Sequence, residues 1–202
     1  MMRTAAATLW LPEACGQGVL VPGGLVVTAA HALPWDGSGA MTLGDHFLVT
    51  VRPRVGAELR LSIYAIEPVA DIAVLGGPDN QVFYDDANAF EEFAEATEPV
   101  PVSDRDFGAR EVPVHVLTHH GTWTEGRANE AADGCAWLVP QAKIEGGTSG
   151  GPVVGGDGQL VGIISHGCEE PPFDGRMPRP HRALPGWVWN RIDAAQRRAG
   201  RP

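Results

Sequence analysis

Gly146-Gly147-Thr148-Ser149-Gly150-Gly151-Pro152-Val153-Val154-Gly155-Gly156 is the stretch on which the reading of the fold turns. A serine among glycines sits on a tight turn, because glycine accepts backbone angles closed to other residues and lets another chain approach closely. The residues after the turn separate two architectures. A G-x-S-x-G turn that opens a helix belongs to alternating α/β folds, with the acid and the histidine later in the chain than the serine. Here Pro152-Val153-Val154 reads as strand and Gly155-Gly156 as the next turn. The stretch therefore points to an all-β chain.

Outward from that turn the same texture continues. Gly18 to Val21 and Leu25 to Thr28 are short apolar runs around the turn Pro22-Gly23-Gly24. Phe47 to Arg52, Leu59 to Ala65 and Ile72 to Leu75 read as further strands, as do Val112 to Leu117, Thr122 to Ala128, Ala136 to Pro140 and Leu160 to Ser165. Asp79 to Glu111 is an acidic connector with a short helix over Asp85 to Thr97, followed by extended Pro99-Val100-Pro101, since each proline disfavours helix at the residue before it. Glu169 to Pro185 reads as a proline-rich loop and Trp187 to Arg198 as a closing helix. The expected organisation is two β units, 1–98 and 99–202, within 202 residues.

Three segments carry chemistry. Ser149 on its glycine turn can expose Oγ, with backbone N–H groups close by to receive negative charge. Val26-Val27-Thr28-Ala29-Ala30-His31 delivers a histidine from the end of a strand past two small alanines, which leave room for a partner. Asp71 precedes the apolar run Ile72-Ala73-Val74-Leu75, and a carboxylate at the edge of a core needs a donor such as an imidazole N–H. Each alone has a plainer reading: a hairpin loop, a strand-end histidine, a turn or capping aspartate.

Taken together, these segments resemble the trypsin/chymotrypsin-like serine protease family. Thr28-Ala29-Ala30-His31 is similar to its TAAH box, Asp71 to Leu75 to its DIAL box, and Gly147 to Pro152 to its GDSGGP box, in the family order His, Asp, Ser. The resemblance runs from about Gly18 to Gly167. It implies two antiparallel six-stranded β-barrels with a short C-terminal helix. It also implies a triad of His31, Asp71 and Ser149, and an oxyanion hole from the N–H groups of Gly147 and Ser149. Ile163 to Gly167 is similar to the segment IVSWG. That likeness implies Ser165 beside Asp71, Gly167 lining the specificity pocket, His166 in place of a tryptophan, and a strand on which substrate pairs. Lys143 aligns with the base of the pocket, which implies a preference for acidic side chains there; the plainer reading has Lys143 pointing to solvent or pairing with Glu145. The expected partner is a protein or peptide substrate. A non-catalytic or latent binding module on the same fold is the alternative.

Departures from the family refine this. Ala32 and Glu145 stand where exported members often have cysteine, and three cysteines (Cys15, Cys135, Cys168) do not make a closed disulfide framework. Thr148 replaces the aspartate that pairs with a newly cut N-terminus, so the pattern is closer to bacterial or HtrA-like members. With no signal peptide read at Met1 to Leu11, a cytoplasmic setting is expected. The formal net charge of −10 repels phosphate backbones and excludes nucleic acid as a partner, and no apolar run is long enough to span a bilayer. His115, His119 and His120 match no metal signature, and neither metal nor cofactor is expected. The connector and the proline-rich loop are the places where a regulatory protein would act.

Overall fold

In the computed structural model, the described residues are 2–13, 15–33, 48–108, 110–131, 135–167 and 175–200. The first unit is a closed antiparallel barrel of β1 (Thr8–Leu11), β2 (Gly16–Val21), β3 (Leu25–Thr28), β4 (Leu48–Pro53), β5 (Leu59–Glu67) and β6 (Ile72–Gly76). Its strand order is β1-β2-β3-β6-β5-β4, and β1 meets β4 to close the ring. Positive φ at Gly23 and Gly24 reverses the chain between β2 and β3. Strands β2, β3 and β6 are buried along their whole length, which is why they read as continuous apolar runs rather than as an alternation. Each fully buried valine or leucine there contributes roughly 1.5–3 kcal/mol relative to exposure.

The second unit is a seven-stranded sheet, built from β7 (Val112–Leu117), β8 (Trp123–Glu130), β9 (Cys135–Pro140), β10 (Pro152–Gly155), β11 (Leu160–Ile163), β12 (His166–Gly167) and β13 (Gly175–Pro178). Its order is β11-β10-β7-β8-β9-β13-β12. The two edges of this sheet, β11 and β12, are halves of one segment, 160–167. Its first half pairs with β10 and its second with β13, so the segment joins both edges. The strand expected over Leu160 to Ser165 is thus interrupted after Ile163, where the chain changes partners. Ser165 N donates to Arg176 O at 3.0 Å.

The connector has the expected helix, α2 (Tyr84–Ala96), whose Phe90 is buried. Pro99-Val100-Pro101 is extended and is pinned to both units. Val100 N donates to Leu20 O of β2, and Leu160 N of β11 donates to Pro101 O. The C-terminal helix α4 (Gly186–Arg198) buries Val188 and Ile192 in the core of the first barrel, and its Gln196 Oε1 accepts from Val102 N at 2.6 Å.

Four elements differ from the sequence reading. A short helix, α1 (Met2–Ala6), and strand β1 precede the first expected strand. The stretch 175–185 is not all loop, because β13 and a short helix, α3 (Pro180–Ala183), lie in it. Met177 of β13 is fully buried against Gly162 of β11, where a Cβ on the glycine would meet Met177 Cγ at 2.2 Å. Phe47, Cys168 and residues 169–174 of the loop lie outside the described residues. Cys15 is exposed, Cys135 is buried, and no bond joins them.

Candidate active site

β3 ends at Thr28, and a single tight turn, Ala30–Ala32, carries His31 to the junction of the two units. Ala30 and Ala32 are buried while the His31 ring stays half exposed. Room for this turn depends on Gly16, where a Cβ would meet Ala32 Cβ at 2.9 Å and the Ser149 carbonyl oxygen at 3.3 Å.

Asp71, just before β6, has φ 58°, a left-handed angle that aspartate tolerates better than most side chains. Its carboxylate accepts three hydrogen bonds. His31 N donates to Oδ1 at 2.9 Å, the His31 Nδ1–H group to Oδ2 at 2.8 Å, and Ser165 Oγ to Oδ2 at 2.5 Å. With its Nδ1 proton directed at Asp71, His31 presents the lone pair of Nε2 to Ser149 Oγ, 2.9 Å away.

The Ser149 turn is held from both units. Gln17 N of β2 donates to Ser149 O at 2.7 Å, and Gly150 N donates to Ile164 O at 2.7 Å. Gly150 has φ 76°, and a Cβ there would lie 1.9 Å from Gln17 O. Gly147 has φ 90°. Among the described residues no carbonyl accepts from Gly147 N or Ser149 N.

Electrostatics follow from this geometry. The hydrogen bond to Asp71 raises the His31 pKa above its ordinary 6.5; burial opposes the shift and the Asp71 charge adds to it. For Asp71, burial pushes the pKa up. The bonds from the His31 ring, Ser165 and the His31 backbone, with the charge of His31, outweigh it and leave the carboxyl below 3.8.

A cleft of about 180 Å³ opens at Ser149, lined by Ile144, Gly146, Ser165 and Gly167 among others. Ile144 packs on Gly167. His166 is exposed and borders this cleft and a larger one of about 540 Å³ beside it, formed with Pro68, Trp137 and Arg176. Lys143, expected at the base of the pocket or pointing to solvent, is exposed and is not among the described residues that line either cleft, whereas its neighbour Ile144 is buried and lines the smaller one. The backbone role of Gln17 and the half-exposed Trp137 escaped the sequence reading. Only the alternation of β9, in which Trp137 faces outward, carried a signal for the latter.

A family model described as a trypsin-like peptidase domain matches residues 16–163. No curated protein matches the chain. Among solved structures, the inactive form of a serine-to-alanine mutant of Rv3671c from M. tuberculosis H37Rv aligns with a TM-score of 0.61 at 17% identity, covering 100% of this chain and 91% of that one. The active form of the Rv3671c protease from M. tuberculosis aligns with a TM-score of 0.60 at 15% identity, covering 100% of this chain and 84% of that one. At such identities the likeness is one of fold.

Proposed function

The chain belongs to the trypsin-like peptidase family, and from that premise we propose that it is a serine endopeptidase that cleaves through an acyl-enzyme on Ser149. The observation that carries the reading is the continuous hydrogen-bonded line from Ser149 Oγ through His31 to Asp71, at 2.9 and 2.8 Å. Ser149 Oγ attacks the scissile carbonyl as His31 Nε2 takes its proton. The N–H groups of Gly147 and Ser149 receive the negative charge that develops on the carbonyl oxygen, an interaction worth roughly 10²–10³ in rate per donor. Collapse breaks the C–N bond, and His31 returns the proton to the leaving amine. Water, deprotonated by the same imidazole, then hydrolyses the ester and regenerates Ser149. Asp71 keeps the histidine in the tautomer that accepts from serine and stabilises the imidazolium.

The reading extends to limited cleavage of a partner protein inside a bacterial cell. Ala32 and Glu145, at positions where exported members carry cysteine, favour a reducing compartment. A fluorophosphonate probe tests the catalytic claim. Labelling of the wild type, lost in Ser149→Ala and strongly reduced in His31→Ala, is the expected result. A folded wild type that resists labelling overturns active catalysis in favour of a binding or latent module.

A further inference from the structure

The β7–β8 hairpin closes on a turn at Thr118–Thr122, with Gly121 N donating to Thr118 O and Thr118 N donating to Thr122 O. The turn carries His119 and His120 ahead of Gly121, and the two imidazole rings lie 3.7 Å apart between centroids. The turn sits beside the segment that leads into Ser149. His120 Nε2 is 3.1 Å from Glu145 Oε2, and His119 Cγ lies 3.4 Å from the point where a Cβ of Gly147 would stand. One ligand atom from each of His119, His120 and Glu145 falls within 4.8 Å of the other two.

We propose that His119, His120 and Glu145 form a binding site for a divalent transition-metal ion, with zinc favoured by the donor set of two imidazoles and a carboxylate. Ligands on a tetrahedral zinc ion stand roughly 3.4 Å apart, as bond lengths of about 2.0–2.1 Å require. The His120–Glu145 pair, at 3.1 Å, is close to this spacing, and a ligand atom of His119 lies within 4.8 Å of both. The arrangement also has a support behind its ligands. The Thr148 hydroxyl, fully buried, lies 3.3 Å from His119 Nδ1 and 3.4 Å from His119 N. With Nδ1–H donating to that hydroxyl, Nε2 of His119 keeps the lone pair that a metal needs. All three ligands lie at the surface or partly exposed, so the fourth position is open to water. The Arg54 guanidinium lies against Gly121 of the same turn and tempers the affinity for a cation. A bound ion clasps the β7–β8 hairpin to the segment carrying Gly147, which places metal occupancy next to one of the proposed oxyanion donors.

Metal binding is independent of the peptidase chemistry and is tested with Zn²⁺ on the Ser149→Ala chain by calorimetric titration. The expected result is one saturable site. Adding His120→Asn or Glu145→Gln, both at exposed positions, weakens it more than about tenfold, while adding His115→Ala leaves it intact. X-ray absorption on the zinc-loaded chain should show two imidazoles among oxygen and nitrogen ligands only. No saturable binding, or binding unchanged by His120→Asn or by Glu145→Gln, overturns the site. Neither result bears on whether Ser149 is a nucleophile, which the probe labelling decides.

Discussion

Ser165 donates a 2.5 Å hydrogen bond to Oδ2 of Asp71, the same oxygen that accepts from the imidazole Nδ1–H of His31. The acid is therefore oriented by a residue of the second unit while it sits at the mouth of a strand of the first. Ser165→Ala removes this orientation and leaves the carboxylate with its two bonds from His31. A hydrogen bond to a charged group is worth about 1.5–3 kcal/mol, so kcat on a peptide substrate should fall by roughly tenfold or more with KM little changed. A rise in KM with kcat intact would show that Ser165 serves substrate binding instead.

Activity and stability should have opposite slopes through the titration of His31. In the proposed mechanism the neutral imidazole is the base, and its pKa is raised, so kcat/KM should climb with a midpoint above 6.5. A group whose folded pKa is raised stabilises the fold below its unfolded value, and that contribution is lost as pH rises through the folded value. The lowered pKa of Asp71 works in the other direction: its contribution is present above 3.8 and lost as pH falls through the lowered value. Thermal melts of wild type and Asp71→Asn should converge as pH falls through the lowered Asp71 value, and their gap should narrow without closing as pH rises through the titration of His31. In Asp71→Asn, kcat should drop by about 10⁴.

Two glycines flanking the serine turn should respond very differently to alanine. Gly150→Ala places a methyl 1.9 Å from Gln17 O and 2.6 Å from Thr28 Oγ1, at φ 76°. The substitution should cost more than about 2 kcal/mol and lower Tm sharply. Gly146→Ala meets nothing within 4 Å and should melt with the wild type. Equal melting of the two variants would refute the close approach of Gly150 to β2.

Arg179, with no exposed surface, pairs with Glu130 at 2.9 and 3.0 Å and covers the Phe107 ring at 3.9 Å. Arg179→Ala leaves Glu130, itself mostly covered, with Arg182 as its remaining cation. The loss should be about 3–5 kcal/mol by urea titration, with little change in probe labelling per folded molecule. A shift in midpoint below about 1 kcal/mol would mean that water replaces the guanidinium.

The parts of this fold that were legible in the sequence are those decided locally. Val19-Leu20-Val21, Leu25-Val26-Val27 and Ile72-Ala73-Val74-Leu75 announce strands because they are β-branched or apolar throughout and are bounded by turn residues. His31, Asp71 and Ser149 were legible because each sits in a short distinctive setting and the three occur in a familiar order. The features that escaped depend on partners distant in the chain. Gly175-Arg176-Met177-Pro178 has no β-branched residue and becomes a strand because β9 and β12 pair on either side of it and Met177 fills the space left by Gly162. The histidines of the β7–β8 turn read as surface residues until Glu145 is folded against them. Lys143 aligns with the base of the pocket, but an alignment register does not say which of two adjacent side chains faces inward, and Ile144 is the buried one.

The bond from Gln17 N to the Ser149 carbonyl has a consequence for how the molecule comes into being. On a ribosome the six strands of the first barrel, which end at Gly76, are made before residue 149. The serine turn arrives later and takes its shape by docking on an edge that is already there. A chain interrupted before that docking has the histidine and the acid but no attacking group. A chain freed of its first half has the serine turn and its bond to Ile164, but not the hold of Gln17. In the proposed mechanism, the attacking group therefore joins the histidine and the acid only when the serine turn docks on the first barrel.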